Sequence, residues 1–223
     1  MSWSTEKEAL QETQSDLQFQ STFTDGVLYF AATGDTGGQV AIPATFPNVI
    51  AVGGTSLLFA LNGNLLAESG WKNSGGGVSK IVTVVPPYQI GVENLLAGGR
   101  NVPDIAAVAD ADYQDQLAMV AYVSTPKASC VDQPTSLQYN AGWMPMVGTS
   151  LSTPIIAAIT NVAGQKRITT LSELSAVYKN RKDPSKIRDI TLTDGSAGGN
   201  QAKQYYDNVT GVGVPASTDF DKP

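Results

Sequence analysis

The stretch Gly148-Thr149-Ser150-Leu151-Ser152-Thr153-Pro154 carries the strongest chemical signal in the chain, and it runs into an apolar segment, Ile155-Ile156-Ala157-Ala158-Ile159, that reads as a helix. A serine at such a turn gains from the helix dipole and from backbone N–H groups that can hold an oxyanion. A serine hydroxyl is nonetheless a poor nucleophile until a base takes its proton. Histidine is the usual base, and the chain has none. Either Ser150 is only a helix N-cap, a role serine favours, or its base is a carboxylate. A carboxylate acts as a base where it is ionised yet still basic, which points to acidic pH.

Asp35 is the second candidate. It lies in Gly34-Asp35-Thr36-Gly37-Gly38, directly after an apolar run, where α/β sheets place ligands and catalytic groups. Protonated, a carboxylic acid could donate to an oxyanion, which again implies acid; otherwise Asp35 fills an Asx-turn. Ser74-Gly75-Gly76-Gly77 permits close backbone approach and could flank a peptide, or could be a plain surface loop. It is no phosphate loop, because Val78-Ser79-Lys80 leads into Ile81-Val82-Thr83-Val84-Val85-Pro86 rather than a helix opened by Gly-Lys-Ser. Asp189 and Asp207, with a glycine-rich loop between them, could chelate calcium, although two aspartates alone say little. The basic run around Lys179-Asn180-Arg181-Lys182 reads as a solvated face.

These residues need elements to position them. Thr5 and Glu8 form a capping box for a helix over residues 5–24. Residues 27–33 and 48–53 are continuous apolar runs, expected as buried parallel strands. Asn62-Gly63 predicts the turn of a hairpin. Residues 69–88 read as loop, Met119–Ser124 as a strand and 125–146 as an irregular surface insertion. Helices follow from Ser150 to about Gly164 and over 171–180, then a strand over 187–191. Alternating helices and buried strands indicate a three-layer α/β sheet.

Composition bounds the rest. At 223 residues the chain fits one domain, with a sizeable core. A net charge of −6 and only 14 Lys and Arg exclude a nucleic-acid partner and suit work in acid. Cys130 is the only cysteine, so no internal disulfide forms. No apolar run is long enough to cross a membrane, and the opening Met1-Ser2-Trp3-Ser4 is no signal peptide.

Taken together, these motifs resemble the sedolisin family of serine-carboxyl peptidases, in order and over nearly the whole chain. Ser2-Trp3-Ser4 looks like the family's Ser-Trp-Gly strand, and Ala32-Thr33-Gly34-Asp35-Thr36-Gly37 like its Ser-Gly-Asp-Ser-Gly loop. Phe46-Pro47-Asn48-Val49-Ile50-Ala51-Val52-Gly53-Gly54-Thr55 is similar to its Pro-x-Val-x-Ala-Val-Gly-Gly-Thr stretch. Trp71, Ser74-Gly75-Gly76-Gly77, Tyr88-Gln89, Arg100, Val102-Pro103-Asp104 and Gly148-Thr149-Ser150-Leu151-Ser152 follow with matching spacing. Arg188-Asp189-Ile190-Thr191 comes next, and Tyr206-Asp207-Asn208-Val209-Thr210-Gly211-Val212-Gly213 resembles Trp-Asp-Pro-Val-Thr-Gly-Leu-Gly.

The resemblance implies a subtilisin-like fold with a central, mostly parallel sheet, and a single peptidase domain with a calcium-binding subregion at about 187–215. It implies Ser150 as nucleophile and Asp35 as oxyanion-hole acid. Ser2, Trp3 and Ser4 would pair with extended polypeptide substrate, and Ser74, Gly75 and Gly76 would border the specificity pocket. Calcium would bind the carboxylates of Asp189 and Asp207 and carbonyls of Ile190, Lys203 and Tyr205, although glycines usually stand where Lys203 and Tyr205 do. Secretion is expected from the family. Family members also carry a base glutamate and an orienting aspartate on a helix upstream of the Ser-Trp strand; this pair, and the early strands of the sheet, lack counterparts here. Glu6, Glu8, Glu12, Glu68, Glu93 and Glu173 do not fit the motif. Two readings follow. One is the C-terminal portion of an acid endopeptidase, inactive without the upstream pair. The other is a non-catalytic remnant that binds peptide or a partner chain.

Overall fold

A computed structural model of the chain describes residues 26–113, 116–117, 120–126, 139–145, 147–165 and 167–222. The helix expected over residues 5–24 lies outside them. The centre is a mixed sheet. Strand β1 (Phe30–Ala32) pairs in parallel with β2 (Ile50–Phe59), register Phe30↔Ile50 to Ala32↔Val52. The hairpin at Asn62-Gly63 returns as β3 (Leu65–Gly70), antiparallel to the distal half of β2. Gly63 takes a φ of 84°, the left-handed backbone that such a turn needs.

A short pair, β4 (Gly77–Val78) and β5 (Asn101–Val102), lies within the segment expected to be loop and just beyond it. Next comes β6 (Ile105–Tyr113), parallel to β2, which the sequence reading did not anticipate. It is extended antiparallel by β7 (Gln116–Leu117). Strand β8 (Val120–Pro126) falls where a strand was expected. Its partner β9 (Tyr139–Pro145) corrects the view of 125–146 as wholly irregular.

Helix α1 (Thr149–Ala163) lies across β6, β2 and β1. It buries Thr149, Ser152, Thr153, Ile156, Thr160 and Ala163, a stripe spaced by three and four residues. Gly164 ends it with a left-handed φ of 69°. Helix α2 (Thr170–Asn180) starts from Thr169, whose hydroxyl and the Ser172 hydroxyl close a reciprocal capping box. Strand β10 (Ile187–Arg188) is shorter than expected and pairs with β11 (Val214–Pro215).

The period-two pleat sorts the core. Phe30, Ile50, Val52, Ile105 and Ala107 join Ile156, Leu174, Val177 and Tyr178 from the helices. Ala31 and Ala51 instead meet Ile42, Ala44, Phe46 and Val49. At the start of β6 a polar centre is fully enclosed: Arg100 and Asp104 are each 0% exposed. The Asp104 carboxylate accepts from Arg100 Nη2 at 2.7 Å, the Ala51 N–H at 2.7 Å and the Tyr178 hydroxyl at 2.9 Å. Arg100 also donates to the Val49 carbonyl and to the Tyr88 hydroxyl. Every charge in this knot has an opposite charge or a dipole against it, as burial demands.

Candidate active site

The Gly34–Asp35 loop leaves the C-terminal end of β1, and α1 begins beside it. The approach is set by contacts on three sides. The Gly148 N–H donates to the Ala109 carbonyl at 2.8 Å, and Ser152 Oγ reaches the Ala107 and Val108 carbonyls, both at 3.0 Å. These bonds fix the entry of α1 to β6. The Gly34 N–H donates to Thr149 Oγ1 at 3.1 Å. Asp35 Oδ1 accepts from both the Thr149 N–H (2.8 Å) and the Thr149 hydroxyl (2.9 Å). One threonine thus orients an exposed carboxyl group next to Ser150.

Gly148 is there for lack of a side chain. Its φ is 119°, and a Cβ would stand 2.6 Å from Asp35 Oδ2 and 3.2 Å from its Cγ. Any other residue would drive Asp35 off the helix. The structure therefore brings Asp35 and Ser150 together although they lie far apart in sequence. Thr149, which the sequence reading quoted in the motif but gave no role, is the link between them.

Ser74, Gly75 and Gly76 lie behind this loop. The Gly75 N–H donates to the Gly34 carbonyl at 2.8 Å and the Gly76 N–H to the Gln39 carbonyl at 2.8 Å. A Cβ on Gly75 would sit 2.2 Å from the Thr33 carbonyl oxygen, and one on Gly76 2.1 Å from that of Asn208. Ser74 Oγ is buried, accepting from the Gly54 N–H at 3.0 Å and donating to the Val209 carbonyl at 2.7 Å. These three residues buttress the Asp35 loop. Ser2, Trp3 and Ser4 lie outside the described residues.

Each described glutamate is engaged elsewhere. Glu68 accepts from Thr55 Oγ1 and pairs with Arg188. Glu93 pairs with Arg181 and Lys182, which hold its carboxyl down at about 2. Glu173 is buried against Arg167.

The residues expected to bind calcium cluster around the loop 203–207, next to β10. Asp189 Oδ2 accepts from the Tyr205 N–H at 2.8 Å, and Asp207 Oδ2 from the Lys203 N–H at 3.1 Å. Asp207 Oδ1 accepts from the Val209 and Thr210 N–H groups. Burial pushes Asp207 up to about 6 against the pull of these donors, and burial raises Asp189 as well. Asp189 Oδ1 is buried with no hydrogen-bond partner. Tyr205 has a φ of 75°, so it keeps the left-handed backbone that a glycine would favour. Both carboxylates thus grip one loop, and one carboxylate oxygen is left without a donor. Ile190 is buried beside them. Among the described residues no three His, Cys, Asp or Glu side chains gather as a metal cluster.

The sequence profile of the subtilase family (Peptidase_S8) matches residues 1–213. The chain belongs to the subtilase family. Among solved structures this subtilase is similar to Pseudomonas sedolisin, a serine-carboxyl proteinase complexed with two molecules of pseudo-iodotyrostatin. The two are 24% identical, the match covers 86% of this chain and 50% of that one, and the TM-score is 0.56. A psychrophilic protease, S41, is also similar, with 18% identity, 96% and 55% coverage and a TM-score of 0.49. No curated protein sequence matches. The subtilase described here has the subtilisin-like α/β fold, and it spans about half the length of the solved structures it matches.

Proposed function

We propose that this subtilase is the C-terminal catalytic portion of an acid-acting serine-carboxyl endopeptidase of the sedolisin type. The observation that carries this reading is the docking of Asp35 on the first residue of α1. Both Thr149 donors go to Oδ1, which leaves Oδ2 against Gly148. In acid, a proton on Asp35 would be offered to an oxyanion forming at Ser150, together with the Ser150 backbone N–H. A glutamate from an upstream segment, oriented by an aspartate, would take the Ser150 proton. The hydroxyl would attack the scissile carbonyl of a polypeptide, and water would hydrolyse the acyl-enzyme. The engagement of Glu68, Glu93 and Glu173 elsewhere supports a base supplied by that segment.

A flank beside the sheet suits such a segment. Among the described residues β1 pairs only with β2. Beside it lies a cavity of about 570 Å³ lined by Leu28, Phe30, Ala157, Thr160, Asn161 and Arg167, among others. In this reading Ser2, Trp3 and Ser4 meet extended substrate as an added strand. Ser74, Gly75 and Gly76 border the specificity pocket from behind the Asp35 loop, and the protein acts outside the cell.

The test is digestion of an unfolded protein at about pH 4. The chain alone should be inactive, and adding the upstream segment should yield cleavage that Ser150→Ala abolishes. Robust Ser150-dependent cleavage by the chain alone would defeat the reading of an external base. A folded complex that cleaves nothing would leave the non-catalytic remnant.

Calcium, in this proposal, is held by carboxylates of Asp189 and Asp207 and carbonyls of Ile190, Lys203 and Tyr205. It supplies charge to a buried acidic loop. At a calcium level of 100 times Kd the chain should gain about 2.7 kcal/mol of stability. Asp189→Asn should remove that response. An unfolding midpoint indifferent to calcium or chelator in the parent chain would exclude the site.

A further inference from the structure

A second pair of acids sits where the serine chemistry makes no use of it. Glu173, in the first turn of α2, and Asp221, in the segment after β11, are both 0% exposed. As carboxylates, Glu173 Oε1 and both Asp221 oxygens have no hydrogen-bond donor. The fourth oxygen, Glu173 Oε2, accepts from Arg167 Nε at 3.2 Å. Arg167 also donates through Nη2 to the Asp221 backbone carbonyl. One guanidinium therefore ties the Glu173 carboxylate to the backbone of Asp221, and the Asp221 carboxylate has no cation of its own among the described residues. Two ionised carboxylates there would carry a net negative charge with three unsatisfied oxygens, which is costly.

The segment that carries Asp221 is otherwise well gripped. Asn180 Nδ2 donates to the Phe220 carbonyl at 2.9 Å and to the Lys222 carbonyl at 2.6 Å. Lys186 Nζ donates to the Lys222 carbonyl at 2.8 Å, and Phe220 is buried in the core. Lys222 Nζ is turned to Asp219 at 2.5 Å. These are the charged groups around the pair: Arg167 before α2, Glu173 on it, Lys186 before β10, and Asp219, Asp221 and Lys222 on the segment itself. Among the described residues, Arg167 alone donates a hydrogen bond to a carboxyl group of the pair.

We propose that Glu173 and Asp221 share one proton and so form a latch that holds residues 219–222 on α2 in acid and releases them when the proton is lost. With the proton in place, one carboxyl O–H donates to the other carboxylate, and the pair with Arg167 is neutral. When the proton goes to solvent, two buried carboxylates repel and one must reach water. The exposed route is to peel the 219–222 segment away. Burial, then Asp221, raise Glu173 from 4.5 to about 7 against Arg167. The docked state therefore binds more protons than the released state between those values. Docking is complete at the acid end and is lost as pH rises through about 7. The latch concerns the response of the fold to pH and stands whether or not Ser150 is catalytic.

The experiment is hydrogen exchange of the whole chain, read by mass spectrometry from about pH 5 to about pH 8.5 and corrected for intrinsic rates. Peptides covering 216–222 should lose about a hundredfold of protection over that range, while β2 peptides stay protected. In Glu173→Gln, and separately in Asp221→Asn, the amide N–H stands in for the shared proton. Protection should then persist at the alkaline end. A flat profile in the parent chain overturns the latch, as does a loss of protection unchanged in both variants. If a variant does not fold, the parent profile decides alone. Release near neutrality with β2 intact supports the latch, and release only together with β2 overturns it.

Discussion

Asp104 and Asp35 are bound by hydrogen bonds of similar length, yet their surroundings differ in kind. Asp104 is wholly enclosed and takes a guanidinium, an amide and a phenol at 2.7, 2.7 and 2.9 Å. Asp35 is exposed and, among the described residues, takes only neutral donors, both from Thr149 and both on one oxygen. A carboxylate enclosed with a cation in the interior serves the fold, and burial raises Asp104 against the pull of Arg100. A carboxyl group aimed by neutral donors on one oxygen keeps the other available. The chain thus places its buried ion pair away from Ser150 and holds Asp35 with backbone and hydroxyl dipoles.

The contrast can be broken at either end. Asp104→Ala strands Arg100 in the core and should cost about 3–5 kcal/mol, measured by urea unfolding. A loss below about 1 kcal/mol would mean that water reaches Arg100. Asp35→Ala should do the opposite. In the proposed assembly with an upstream segment it should lower kcat by about 10²–10³-fold. The unfolding midpoint should barely move, because surface positions contribute little. A large stability loss would place Asp35 with Asp104 as a structural group. Gly75→Ala tests the buttress between the two regions, where the new methyl would press on the Thr33 carbonyl at 2.2 Å. It should cost about 1–3 kcal/mol and reduce activity by shifting Asp35. Thr149→Val is the finest probe. It removes the hydroxyl that joins Gly34 to Asp35 and should cost about 1 kcal/mol, with Thr149→Ser restoring it.

The parts of this arrangement that were legible in sequence are those that glycine marks. The Gly34-Asp35 loop, the Asn62-Gly63 hairpin and the Gly148 turn each need a backbone that other residues resist, so their positions stand out. Strand β6 did not stand out. Its Ala106-Ala107-Val108-Ala109 run has the small residues of a helix, and Asp110 and Asp112 interrupt its apolar pattern. Only pairing with β2 makes it a strand, and such a tertiary choice overrides local propensity. Strand β9 was hidden for the same reason, because it is defined by its partner β8.

Side-chain roles were less legible than elements. Thr149 was visible as a letter of a motif, but nothing local says that its hydroxyl points at a residue in another loop. Ser74 stands in a glycine-rich stretch, and nothing local says that its hydroxyl is buried between Gly54 and Val209. Such a role depends on where three separate segments cross. The Arg100–Asp104 pair has the spacing of a helical ion pair, but in this fold the two residues flank the short strand β5.

The bond between Asp35 and Thr149 spans 114 residues of chain. Contacts so remote form only after the intervening sheet has closed the loop between them, because the entropy of that closure precedes any reward. The β2–β3 hairpin and both helices draw on near neighbours and can organise first. Refolding followed separately at α1 and at the Asp35 loop should resolve the two events in time. A newly made chain thus forms the helix start that carries Ser150 well before Asp35 docks on it, so the two residues meet only when the rest of the sheet is already in place.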